Sequence, residues 1–245
     1  MELYNLITTY GEKFVPIFIR VATILAFIPF LGARMTPIFV RVGLSLALTL
    51  LLLPVVEIQS GSPVAAVFES FFVGLAIGLC ARLILGAVEM AAQWISIEMG
   101  LGVAAVFNPQ FGEVLGPLSL FYSFMAMGLF FVCDMHHFFI EGIARSFAVT
   151  SIQYQGMFDA VLKLNSFMFP LAFKIAAPIF LIQTLINLGM GFLSKAMPQI
   201  NIFFVSFPLL ISAGLVSIAL SMSLTFFVIS KAFMHVRDAV MAFTR

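Results

Sequence analysis

The chain has 245 residues, of which 62% are hydrophobic and 9% are charged, and its mean hydropathy is +1.16. Because a soluble domain averages about 25% charged residues, this composition excludes most soluble classes and predicts an all-α integral membrane protein. The net charge of +1, without a basic run, argues against nucleic acid as a partner.

Six charge-poor segments approach or exceed the roughly 20 residues that a helix needs to cross the hydrocarbon of a bilayer. They comprise residues 14–31, 37–56, 64–86, 114–133, 175–193 and 203–230. Turn-forming and polar residues separate them, among them Gly32, Pro37, the polar run 57–63 and Pro198. We therefore predict about six hydrophobic helical segments in a single membrane domain that covers residues 1–245.

Several ionisable residues lie inside the apolar segments, where each is costly in lipid and usually faces protein or water. They are Arg20, Arg82, Glu89, Glu98 and Lys174. Arg82 and Glu89 are separated by two helical turns and therefore share one face of a helix. Two interpretations remain: the side chains satisfy one another or snorkel at helix ends, or they contribute to an interface in an assembly.

Small residues give a second signal in the third segment. Gly74 and Gly78 form a G-x-x-x-G motif, which lets helix backbones approach closely in lipid. The motif indicates structural packing, either within the chain or between subunits.

The segment around Asp134 carries the most enzyme-like pattern. Asp134, His137 and Glu141 follow the spacing of one helical face, and carboxylate and imidazole groups there can bind a metal ion. A metal site needs ligands from a second element, however, and His235 has Asp238 as its sole acidic neighbour. Since the sequence also lacks a nucleophile motif or a phosphate-binding glycine loop, we predict no metal, no cofactor and no enzymatic activity.

Residues 98–117 are rich in glycine and proline yet keep bulky aromatic side chains. A helix is not expected to run through Asn108-Pro109 or Gly116-Pro117, so the segment should form an apolar loop. Irregular backbone at membrane depth is tolerated where protein buries it or where it lines a cavity, so the aromatic side chains Phe107 and Phe111 could close a pore. The alternative is a loop at the membrane surface with aromatic anchors.

Three blocks of the sequence, taken in order, resemble the FliR family of the bacterial flagellar export apparatus and its type III secretion relatives. The first block holds Arg20, Pro29, Pro37, Arg41, Gly43 and Pro54, and the second holds Glu69, Gly74, Gly78, Glu89, Gly100, Asn108, Pro109 and Gly112. The most specific block holds Asn187, Gly191, Pro198, Gln199, Asn201, Phe207, Pro208 and Gly214. Met135 departs from the family pattern, since a glycine is common there, and Thr150-Ser151 replaces a frequent proline.

The resemblance implies a non-enzymatic subunit of the flagellar export gate, placed in the bacterial inner membrane at the basal body. It implies hairpins in a helical assembly, with residues 1–164 as a FliP-like part and residues 165–245 as a FliQ-like part. The partners it implies are FliP-like and FliQ-like membrane subunits, an FlhB-like switch protein, an FlhA-like export protein, and unfolded substrates in transit through a conduit.

The resemblance also assigns roles to residues. The loop becomes a pore plug formed by Phe107, Asn108, Pro109, Phe111, Gly112 and Gly116. Subunit or helix packing falls to Gly74, Gly78, Arg82 and Glu89. A turn that fixes the last hairpin is formed by Pro198, Gln199, Asn201 and Pro208.

Three alternatives stay open at this level. The nearest is a homologous gate subunit in a virulence injectisome. A small-molecule or ion transporter would be expected to show related halves, and no convincing internal repeat is seen. A membrane metalloenzyme would require His136, His137 and Glu141.

Overall fold

A computed structural model describes residues 2–28, 36–56, 62–102, 116–147 and 154–242. Within these ranges the chain forms seven α-helices and no β-strand. The helices are α1 (Glu2–Phe27), α2 (Ile38–Leu52), α3 (Pro63–Glu98), α4 (Pro117–Val132), α5 (Met135–Arg145), α6 (Tyr154–Ala196) and α7 (Ile202–Ala242). The prediction of an all-α membrane fold is confirmed.

The chain divides into two compact units, each assembled from segments distant in sequence. The first unit comprises residues 1–85, 130–166 and 233–245, and the second comprises residues 86–129 and 167–232. The predicted division into FliP-like and FliQ-like parts at residue 164 concerns resemblance to other subunits and not compactness within this chain. It stays a prediction.

In the first unit, α1 presents one buried stripe. Ile17, Arg20, Val21 and Ile24 are at most 1% exposed and follow the i, i+3, i+4, i+7 spacing of a single helical face. The early part of α3 packs against this stripe, and α2 also contacts α1. The core of this unit is therefore built where α1 meets two other helices.

In the second unit, α6 buries one face over residues 171–179. Leu171, Ile175 and Ile179 recur every four residues and are at most 1% exposed. The late part of α3 contributes small side chains, among which Ala87 and Ala91 are fully buried. Small residues at such positions let neighbouring helices approach closely.

Helix α2 is polar inside and apolar outside. Ser45 and Thr49 are buried, while Phe39 and Leu51 are exposed. The Ser45 hydroxyl donates to the Arg41 carbonyl (2.8 Å) and the Thr49 hydroxyl to the Ser45 carbonyl, so both hydroxyls are satisfied within their own helix. In water this arrangement would expose the groups that gain most from burial. It suits a helix whose outer face meets lipid or protein.

Helix α7 repeats the pattern in the second unit. Ser217, Ser221 and Thr225 are buried, and each hydroxyl donates to a carbonyl three or four residues earlier. Leu220 and Phe227 are 79% and 65% exposed on the opposite side. Buried hydroxyls beneath an apolar exterior indicate a membrane-embedded chain.

All six predicted segments overlap helices in the described ranges, but a count of six membrane-spanning segments is not confirmed. Three of the described helices, α3, α6 and α7, are long and apolar enough to cross a membrane. Helices α4 and α5 make a fourth span if they are taken together across their 65° bend. At 15 residues, α2 is shorter than a span needs, and α1 carries Glu12, Lys13 and Arg20.

Candidate functional site

The predicted plug falls largely outside the described residues. Phe107, Asn108, Pro109, Phe111 and Gly112 lie within residues 103–115, which the structure does not describe. Gly116, the last predicted plug residue, is described. The structure describes the helices on either side: α3 ends at Glu98 and α4 begins at Pro117.

Helix α3 ends in a Schellman motif. The Leu101 N–H donates to the Ser96 carbonyl (2.9 Å), and the Gly100 N–H donates to the Ile97 carbonyl (3.0 Å). Gly100 has a φ of 75°, a left-handed conformation that other residues adopt at a cost. The glycine therefore terminates the helix immediately before the undescribed segment.

The last turn of α3 is held by α7. A Cβ added at Gly100 would lie 2.8 Å from Cε1 of Phe207, so the backbone of Gly100 sits against that ring. A Cβ at Gly214 would lie 2.6 Å from Cε of Met99. Residues on α7 thus contact Met99 and Gly100, the two residues that follow α3, and a side chain at Gly100 or Gly214 would disturb that contact.

The described residues on either side of positions 103–115 both lie near the last turn of α3. A Cβ added at Gly116 would lie 3.8 Å from the Ser96 hydroxyl, which belongs to the last turn of α3. A Cβ added at Gly102 would lie 3.5 Å from Cγ1 of Ile97, which belongs to the same turn.

Gln183 is a buried polar residue that sequence reasoning missed. It is 0% exposed, and its Nε2 donates to the Leu210 carbonyl (2.8 Å), which ties α6 to α7. Its Oε1 is buried without a hydrogen-bond partner in the described structure. The residue lies in the block QTLINLGMGF, but a glutamine in an apolar run does not reveal what it contacts.

Gly74 and Gly78 face α1 within the first unit. A Cβ at Gly74 would lie 2.8 Å from the Arg20 carbonyl oxygen, and a Cβ at Gly78 would lie 2.8 Å from Cβ of Phe27. The G-x-x-x-G face of α3 is thus in contact with the backbone of α1. The role of the two glycines between subunits stays a prediction.

Arg20 organises a polar cluster that the sequence did not reveal. Its guanidinium donates to the Ser146 carbonyl (2.8 Å), the Ser146 hydroxyl (3.0 Å) and the Ser70 hydroxyl (3.3 Å). Glu69 lies 3.7 Å away, and the Phe147 ring centroid lies 3.7 Å from Arg20 Cζ. The one available sequence signal was a charge inside an apolar segment.

Arg82 and Glu89 lie on α3 as predicted, but in different units. Arg82 is exposed and Glu89 is half-buried, and both interact with other groups of the chain. Their role in helix or subunit packing stays a prediction.

The predicted turn joins α6 to α7. Pro198 and Gln199 are exposed, and the Ile200 N–H donates to the Met197 carbonyl (3.1 Å). Asn201 precedes α7, and its Oδ1 accepts a hydrogen bond from the Phe203 N–H (3.2 Å), which caps the helix. Pro208 is exposed within α7. The assignment of this turn to the final hairpin stays a prediction.

The bend between α4 and α5 regroups the histidine cluster. Asp134 Oδ1 lies 3.4 Å from His137 Nδ1, whereas Glu141 forms an ion pair with Arg145. His136 replaces Glu141 in the group, because potential ligand atoms of Asp134, His136 and His137 all lie within 4.8 Å of one another. The set expected from helical spacing is therefore not the set that the fold brings together.

Comparison with known proteins identifies the class. The model of the family "Bacterial export proteins, family 1" matches residues 12–236. The chain belongs to this family, and the predicted resemblance to FliR proteins is confirmed.

Similar proteins span nearly the full chain. The flagellar biosynthetic protein FliR of Bacillus subtilis (strain 168) is 29% identical over 242 residues, which cover 94% of this chain and 93% of the relative. FliR of Pectobacterium carotovorum is 26% identical over 90% of this chain and 88% of the relative, and FliR of Escherichia coli (strain K12) is 26% identical over 84% and 82%.

Proposed function

We propose that this chain is a non-enzymatic core subunit of the flagellar protein export gate in the bacterial inner membrane. It forms a conduit for unfolded substrates together with FliP-like and FliQ-like membrane subunits, and it contacts FlhB-like and FlhA-like proteins. Two observations support the proposal: the family match, and exposed apolar helix faces that also carry a charged side chain. The flagellar names of the relatives favour this role over an injectisome.

The length of α6 and α7 supports assembly with partners. They have 43 and 41 residues, about twice the roughly 20 that cross the hydrocarbon of a bilayer. Outside lipid, exposed apolar residues on the remaining turns would face water, which is unfavourable. Cover by other subunits removes that cost.

A charged residue on the outer face of α6 supports the same conclusion. Lys174 is exposed between Phe173, which is 59% exposed, and Leu181, which is 65% exposed. A lysine facing the centre of a bilayer costs about 2.5 to 3.5 kcal/mol on insertion scales. A protein neighbour that supplies an acidic or hydrogen-bonding group avoids this cost, so we assign this face to a partner subunit.

The plug completes the proposal. Residues 107–116 seal the closed conduit, with Phe107 and Phe111 excluding water and ions by dewetting. The close approach of Gly116 to the end of α3 and the contacts of Gly100 with α7 support this role, because a seal needs both of its ends fixed by rigid elements.

Isolation from the native membrane tests assembly. A tagged chain, solubilised gently, should elute in a large complex with small polytopic subunits. The double variant Lys174→Leu/Phe173→Asp should elute outside this complex. The matched control is Lys195→Leu combined with Phe192→Asp, at two exposed positions near the end of α6. This control should leave the chain in the complex. Elution of the unaltered chain alone would refute the proposed role.

Ion leakage tests the plug separately. Phe107→Ala with Phe111→Ala should raise the leakage of ions across membranes that contain the assembled complex. Phe158→Ala, at an exposed position of α6, is the control and should leave leakage at the basal level. Unchanged leakage in complexes that still assemble would exclude a sealing role while leaving membership of the gate intact.

A further inference from the structure

We propose that Asp134, His136 and His137 bind a divalent transition metal ion at the bend between α4 and α5. The site is independent of the proposed export function and of the plug. It differs from the set expected from helical spacing, because Glu141 is engaged by Arg145.

The backbone at the bend creates the grouping. Asp134 has φ 54° and ψ 22°, and it is the sole non-glycine residue with positive φ in the described ranges. An aspartate before a helix normally caps it, but Asp134 makes no side-chain cap hydrogen bond to α5. Its carboxylate faces His137 instead, so a left-handed residue that would ordinarily be costly brings an acid towards an imidazole.

The spacing of the polar atoms suits metal coordination. Asp134 Oδ1 and His137 Nδ1 lie 3.4 Å apart. Two ligands with bonds of about 2.0 to 2.1 Å to a tetrahedral zinc ion are separated by about 3.3 to 3.4 Å. The whole group spans up to 4.8 Å, so one side chain must turn to complete the site. Asp134 and His137 can do so, because their side chains are 76% and 73% exposed.

His136 supplies a second, independent observation. Its Nδ1 is buried and has no hydrogen-bond partner in the described structure. Its ring centroid lies 4.0 Å from that of His137, although adjacent helical residues normally diverge by about 100°. A buried polar atom without a partner is unusual, and coordination of the ion at Nδ1 would satisfy it.

The donor set selects the class of ion. Two imidazoles with one carboxylate suit zinc, nickel, cobalt or copper and not calcium or magnesium, which prefer oxygen ligands. Three protein ligands leave a coordination position for water. All three ligands come from the N-cap residue and the first turn of α5, so the ion would be held at the start of that helix.

Metal titration of the detergent-solubilised full chain tests the site. The protein should carry an affinity tag without histidines and should first be stripped with EDTA. We expect one Zn²⁺ per chain by calorimetry, and absorption bands of a low-symmetry site with Co²⁺. Asp134→Asn, His136→Gln and His137→Gln should each weaken binding by more than about tenfold.

Two substitutions distinguish this site from adventitious binding. His235→Gln changes another exposed histidine, and Cys133→Ser removes an exposed thiol close in sequence, and both should retain full affinity. The proposal fails if the unaltered chain does not bind Zn²⁺, if the triple variant Asp134→Asn/His136→Gln/His137→Gln binds equally well, or if either control abolishes binding. Elution within an export complex is measured separately and does not depend on these outcomes.

Discussion

The guanidinium of Arg20 donates a 2.8 Å hydrogen bond to the backbone carbonyl of Ser146, a residue 126 positions later in the chain. Ser146 is the C-cap residue that follows α5, so its carbonyl has no partner within that helix. Arg20 is 1% exposed. One buried side chain therefore satisfies a helix end and links the first helix to the fifth.

Replacing Arg20 should destabilise the first unit. Arg20→Met leaves the Ser146 carbonyl and the Ser70 hydroxyl unsatisfied, and Arg20→Lys loses the planar fork that reaches both. We expect either change to cost about 2 to 4 kcal/mol, measured by thermal unfolding in detergent. Lys195→Met, at an exposed basic residue, is the control. Equal melting of Arg20→Lys and the unaltered chain would show that the cluster contributes little.

A methyl group at Gly74 should separate α1 from α3. The added Cβ would lie 2.8 Å from the Arg20 carbonyl oxygen, and a backbone atom cannot turn aside. We expect Gly74→Ala to cost about 1 to 3 kcal/mol in thermal unfolding. Gly86→Ala lies on the same helix with no atom within 4 Å, so it should be neutral or stabilise by up to about 1 kcal/mol. Similar melting of the two variants would contradict the close contact.

The end of α3 gives a third prediction. Gly100→Ala meets two penalties, a φ of 75° and the Phe207 ring 2.8 Å from the new methyl group. We expect Gly100→Ala to lower the free energy of unfolding by about 2 kcal/mol or more. Adding Phe207→Leu should recover only part of this loss, because strain of about 1 to 2 kcal/mol remains in the backbone. Gly102→Ala, whose nearest neighbour lies at 3.5 Å, should melt like the unaltered chain. Full recovery in the double variant would show that backbone conformation contributes nothing.

Gln183 should tolerate an apolar replacement better than an acidic one. Gln183→Met loses the hydrogen bond to Leu210 but also removes the unpaired Oε1, so its effect should stay within about 1 kcal/mol. Gln183→Glu places a carboxyl group in a fully buried position, so it should lower the free energy of unfolding several-fold more than Gln183→Met does. Chemical unfolding of both variants measures the difference, and Gln93→Glu, at an exposed position of α3, controls for added charge. The opposite order would indicate that Oε1 accepts a hydrogen bond.

The sequence predicted where apolar helices lie but not where they begin or end. The fifth predicted segment covers residues 175–193, whereas α6 runs from Tyr154 to Ala196. Hydropathy detects the apolar middle of a helix, and the flanking turns contain Asp159, Lys163 and other polar residues that a lipid-based pattern excludes. Helices that continue beyond the bilayer are invisible to such a pattern.

Composition and apolar runs of about 20 residues determined that this chain is helical and belongs in a membrane, because a helix satisfies its backbone groups within its own segment. Spacing alone placed Gly74 and Gly78 on a face that packs closely. The tertiary structure decided which distant groups meet: Arg20 with Ser146, Gly100 with Phe207, and His136 in place of Glu141 beside Asp134. These contacts depend on helix packing and on one left-handed residue, and neither local periodicity nor composition specifies them.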